Sequence, residues 1–176
     1  AYNLFDQLKL TGSLNIHALS SAFESIVQRH EILRTNYLST NGIPYTIISD
    51  CKDNYFNTID LTTIDSNEIT HKLDEILTDE NEYCFDLAND NLIRVTLIKT
   101  DNQTHHLIIN MHHIITDGWS ISLFINELCS IYTASINGKT ANLPELPIQY
   151  IDYSNWLNEI ELSGLLATKL DAWTKK

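Results

Sequence analysis

Four histidines crowd into nine residues, His105, His106, His112 and His113, and they are the first side chains whose chemistry needs testing. The intervening run Leu107 to Met111 reads as a strand, and side chains alternate faces along a strand. His105 and His113 therefore share one face at ~26 Å, and His106 and His112 share the other at ~20 Å. Neither pair reaches one ion. No cysteine pair and no His-Glu-x-x-His helix supplies the missing ligands, so a protein-ligated metal is not expected. The run His112-His113-Ile114-Ile115-Thr116-Asp117-Gly118 offers something else. His113 follows Leu107, Ile109 and Met111 on one apolar face and emerges where that strand ends, the place where α/β sheets keep their sites. The short turn has the length to return Asp117 beneath the ring, and Gly118 reads as a backbone position closed to side chains. The residues alone leave an equal alternative, two satisfied core histidines before a turn. A serine hydrolase finds no Gly-x-Ser-x-Gly elbow.

The surrounding elements must hold that turn in place. Tyr2 to Leu10 reads as a strand closed by Thr11-Gly12. Asn15 is the predicted cap of a helix to about His30, whose inner stripe is Leu19, Ala22, Phe23, Ile26 and Val27. Leu33 to Ser39 and Pro44 to Ile48 read as strands joined by a tight turn at Asn41-Gly42. Thr58 to Leu61 is a short strand. Asp65 or Ser66 then caps a helix that faces inward with Ile69, Leu73, Ile76 and Leu77. Strands Leu92 to Lys99 and His105 to His113 follow, joined at Asp101 to Gln103. A helix over Trp119 to Ile136 stops near Asn137-Gly138, and Leu143 to Pro147 is a loop. Two further helices are predicted, Gln149 to Ile160 and Leu165 to Trp173. Interleaved strands and helices give an α/β class, a mixed sheet flanked by helices.

Composition narrows the classes of function. The 176 residues are 43% hydrophobic and 19% charged, enough to bury a core. A net charge of −12 repels phosphate backbones and anionic lipid, which argues against nucleic-acid and membrane roles. Cys51, Cys84 and Cys129 are odd in number, without metal spacing, and read as buried free thiols of a reducing, cytoplasmic compartment. No apolar run is long enough to span a bilayer, and no signal peptide is visible. Repeats and linker-like stretches are absent from the sequence, and a start at Ala1 reads as a piece cut from a longer protein.

His112-His113-xxx-Asp117-Gly118 resembles the HHxxxDG signature of the condensation-domain and chloramphenicol-acetyltransferase-like superfamily. Arg29-His30-Glu31-Ile32-Leu33-Arg34-Thr35-Asn36-Tyr37 is similar to the RHExLRTxF motif of nonribosomal peptide synthetase condensation domains, departing at Tyr37 for Phe. Leu14 to Val27 and Leu146 to Trp156 resemble the family's flanking text, so the likeness spans nearly the whole chain.

The resemblance implies the N-terminal lobe, residues 1–176, of a two-lobed domain, with the family's first motif and its C-terminal lobe outside the sequence. It implies amide-bond formation between a donor acyl or peptidyl thioester and the amine of an acceptor aminoacyl thioester. Both substrates ride on phosphopantetheine arms of upstream and downstream peptidyl carrier proteins. No resident cofactor is implied; an adenylation domain would neighbour it in the parent chain.

In that family His113 carries the main catalytic role, as base or positioning group. His112 points the other way by strand alternation and is structural. Asp117 pairs with Arg34 to pin the turn, and the Gly118 N–H faces the reacting groups. Trp119 and Ser120 pack the helix start, while Arg29, His30 and Glu31 are solvated or structural. The first His, where heterocyclising relatives carry Asp, favours ordinary condensation, although the epimerising branch shares the signature. Two other readings stay open: an acyltransferase using coenzyme A or an acyl carrier, and a non-catalytic platform for docking carriers. The isolated lobe is expected to fold without condensing anything, and to show an apolar patch around His113 where the other lobe would pack.

Overall fold

In the first of two units, Ala1–Leu143 and Pro144–Lys176, a four-stranded mixed sheet carries the candidate residues. The computed structural model describes residues 2–50 and 55–164. Cys51 and the predicted helix Leu165 to Trp173 lie outside the described residues.

The sheet order is β1 (Asn3–Thr11), β6 (Thr104–His112), β5 (Ile93–Lys99), β4 (Phe56–Asp60). β6 pairs antiparallel with both neighbours, Leu8 opposite Leu107 and Ile93 opposite Met111, while β4 and β5 run parallel. A parallel pair needs a long crossover, and α2 (Ser66–Glu82) supplies it. The expected α/β class with a mixed sheet flanked by helices is what the chain forms.

β6 has a buried side chain at every position from Leu107 to Met111, because both of its faces are covered. Leu107, Ile109 and Met111 join the core made by α1 (Ile16–Arg29) and α3 (Gly118–Ile136). Ile108 joins Ile98 and Leu61, against which Leu73, Ile76 and Leu77 of α2 pack. Asn15 caps α1 by accepting the Ala18 N–H at 3.0 Å, and the predicted stripe from Leu19 to Val27 is buried. Burial of Phe23, Ile26 and Val27 contributes ~1.5–3 kcal/mol each before entropy is counted.

The far end of α2 is anchored by Glu80, which accepts from Arg94 Nε and Nη2 at 3.1 and 3.2 Å and from the Thr96 hydroxyl at 2.8 Å. Next comes a loop tied down by Tyr83, whose hydroxyl donates to Asp90 at 3.0 Å.

Two local readings change. The strand expected from Leu33 begins only at Thr35, because Glu31–Arg34 forms a 3-10 turn closed by Leu33 N–H on the His30 carbonyl and the Thr35 hydroxyl on Glu31. β2 (Thr35–Thr40) and β3 (Ile43–Ile48) then form a separate hairpin, with Asn41 and Gly42 both at positive φ as its tight turn requires. Cys84 and Cys129 are exposed rather than buried, one in the loop after α2 and one on the outer side of α3.

In the second unit α4 (Tyr150–Leu162) is capped by the Gln149–Asp152 box and sets Tyr150, Tyr153 and Trp156 in tilted ring contacts along one side.

Candidate active site

β6 leaves the sheet at His112, and the residues that follow carry the rest of the motif into α3. The ladder continues one rung beyond the strand: His112 N–H donates to Leu92 at 2.9 Å and His113 N–H to Tyr2 at 2.6 Å. The chain then turns, with Ile115 N–H on the His112 carbonyl at 3.1 Å, and buries Ile115 and Thr116.

His112 stays with the protein. Its ring stands edge-on to Phe85 (centroids 6.2 Å, 87°), and its Nδ1 accepts the Ile114 N–H at 3.1 Å. An acceptor Nδ1 requires the neutral imidazole with its proton on Nε2. Burial, and secondarily the neighbouring His113, hold its pKa below the usual histidine value. His113 is the opposite case. It lies outside the strand, is exposed, and among the described residues its ring makes no hydrogen bond.

Asp117 makes no hydrogen bond or ion pair with His113 or with Arg34. It is the N-cap of α3, and its Oδ1 accepts the N–H groups of Trp119 and Ser120 at 3.1 and 2.8 Å and the Ser120 hydroxyl at 2.7 Å. These bonds, led by the Ser120 hydroxyl, hold its pKa below the ordinary carboxylate value, and the His113 charge adds least. A carboxylate so engaged by its own helix start has little left for a distant cation. Arg34 instead donates to the Ser49 carbonyl at 2.8 Å and meets Glu31 at 3.5 Å, fastening the 3-10 turn to the end of the hairpin.

Gly118 is the first residue of α3, and its backbone is outside the left-handed region. A Cβ there would meet nothing within 4 Å, so the expected backbone restriction is not its role. Its N–H, left over after Asp117 satisfies the next two, has no acceptor among the described residues. Trp119 does not pack the helix start either: it is 90% exposed. With Tyr2 and Ile114 it puts large apolar side chains in water on the segments that flank His113.

Sequence reading missed Glu127. Buried on α3, it takes His30 Nε2 at 2.7 Å and Arg29 Nε at 3.3 Å, so the two motif residues clasp α1 to α3. The signal was present, since Glu127 falls among the inward positions Phe124 and Leu128 at helical spacing. No group of three His, Cys, Asp or Glu able to hold an ion occurs among the described residues.

The motif therefore presents an exposed imidazole just past the end of β6 and, at the start of α3, a backbone N–H without an acceptor among the described residues. The condensation domain family matches residues 1–176, and the chain belongs to it. It is 36% identical over 176 residues to a linear gramicidin synthase of Brevibacillus parabrevis, covering 99% of this chain and 3% of that protein. To the cyclosporin synthetase of Tolypocladium inflatum it is 34% identical over 171 residues, 96% of this chain and 1% of the relative. The starter condensation domain of rhizomide synthetase superposes with a TM-score of 0.87 at 16% identity, over 99% of this chain and 42% of that one. The chain thus spans a few hundredths of the synthetases at most, and under half of the solved domain.

Proposed function

We propose that this chain is the N-terminal lobe of a peptide-bond-forming condensation domain and supplies its reactive histidine, His113. The observation that supports this most is the exposed ring of His113, fixed by its backbone at the end of β6 and without a partner among the described residues.

The chemistry follows from the groups present. The acceptor α-ammonium, whose pKa in a free peptide is about 8, must lose a proton before its nitrogen can attack. His113, within reach of that nitrogen, accepts the proton or orients the free amine. The nitrogen adds to the donor carbonyl carbon, a C–N bond forms, and the C–S bond breaks to release the donor arm as a thiol. Negative charge gathers on the carbonyl oxygen in between, where the Gly118 N–H is free to meet it. Asp117 keeps the helix start in place and Arg34 the neighbouring turn, so both support the site without touching substrate.

Substrates in this reading arrive on phosphopantetheine arms of carrier proteins upstream and downstream, with the C-terminal lobe and an adenylation domain in the same parent chain. Orientation of two tethered arms supplies much of the rate, so the lobe by itself does not turn over. To test this, the full two-lobed parent is given an acyl-carrier and an aminoacyl-carrier, and the acceptor arm is analysed by mass. An amide on the acceptor carrier is expected. Product formed from acyl-coenzyme A and a free alcohol, with none from the carriers, overturns it.

A further inference from the structure

Ile114, the residue after His113, is held at both of its backbone groups by side chains from two different strands. His112 Nδ1 of β6 accepts its N–H at 3.1 Å, and the Tyr37 hydroxyl of β2 donates to its carbonyl at 3.3 Å. β2 belongs to the hairpin, not to the main sheet, so Tyr37 bridges two separately built parts of the fold. The root of Tyr37 is itself fixed, because its N–H donates to the Leu87 carbonyl at 2.9 Å. Its neighbour Asn36 donates to the Asp90 carbonyl at 2.7 Å. The loop these two residues grip carries Phe85, whose ring stands against His112. Tyr37 thus acts on the turn directly through its hydroxyl and, through that loop, from the side of His112.

Tyr37 is the position at which this stretch departs from the motif it resembles, which has Phe there. A Phe ring would fill the same partly buried site against the core, so packing does not require the hydroxyl. What the hydroxyl adds is a tether on the turn. His113 itself has a backbone bond to Tyr2 on its strand side only, and everything that steadies it on the helix side passes through Ile114 and Ile115.

We infer that Tyr37 is a positioning residue for His113: its hydroxyl, acting with His112 on the two backbone groups of Ile114, fixes the turn that aims the imidazole. This rests on the reactive role proposed for His113, yet the tether can be judged without turnover. Tyr37→Phe removes one oxygen and keeps the ring. In this chain, amide exchange at Ile114 and Ile115 should rise about 3–10-fold, the factor for losing one modest hydrogen bond. The His113 ring signals should shift as well, with exchange in Leu107 to Met111 unchanged. In the two-lobed parent the same substitution should lower kcat by a similar factor at unchanged KM. Unaltered exchange and ring signals overturn the tether, and so does faster exchange spread evenly over β6 and α1, which marks a general packing role. Local changes in exchange with kcat untouched overturn the positioning role, while a parent inactive before substitution refutes the proposed function and leaves the exchange result standing.

Discussion

At the level of single residues, the two histidines of the motif divide the labour by burial. His112 is neutral, half-buried and spent on the turn, whereas His113 keeps its ring for whatever approaches. Asp117 carries the sharpest revision, from partner of a distant arginine to cap of its own helix. Asn caps as well as Asp and Ala does not. Asp117→Asn should therefore keep the melting temperature, and Asp117→Ala should lower it by about 2–4 °C. Combining Asp117→Ala with Arg34→Ala should give additive losses by thermal melting, where an ion pair would give a clear coupling.

Acid should act in two steps. The lowered pKa values of His112 and His106, each caused first by burial, mean that the unfolded chain binds more protons below about pH 6.5. Stability is thus greatest above that value and falls as the histidines are forced to charge. The lowered pKa of Asp117 makes its contribution complete above about pH 4 and lost only as pH falls through its native value. Melting temperatures taken from pH 8 to pH 3 should show both declines, with the second weakened in Asp117→Asn.

Elements with strong local signals were legible in the sequence. α1 announces itself through the Asn15 cap and an unbroken stripe, the hairpin through Asn41-Gly42, and β6 through the apolar face of Leu107, Ile109 and Met111. The Glu31–Arg34 turn was hidden because its residues suit a strand equally well, and it is set by hydrogen bonds to His30 and Thr35. Trp119 was misread for a similar reason. A helix start gives no hint of which residue faces the core until α3 is docked on α1.

Glu127 is the residue that does this docking with charge. Glu127→Ala strands the Arg29 cation and takes the acceptor from His30, and should cost ~3 kcal/mol, the low end for broken buried pairs because both partners keep some water contact. Urea unfolding measures it, and Glu127→Gln should recover part of the loss.

For the molecule as a whole, the family was readable from two motifs in order, and the site only in outline. Which residues line up at a strand end is local information; what their side chains then bind depends on neighbours far away in sequence. Tyr2, Ile114 and Trp119 stand exposed on the segments that flank His113, and large apolar side chains left in water suit a surface that another part of a protein covers. In the function proposed above, His113 serves amide-bond formation. Its most direct test is the single-turnover rate of amide formation on carrier-bound substrates in the two-lobed parent carrying His113→Ala. A fall of about 100-fold or more, with the variant folded and melting like the parent, is the predicted result. A rate equal to that of the parent would show that His113 has no part in the reaction.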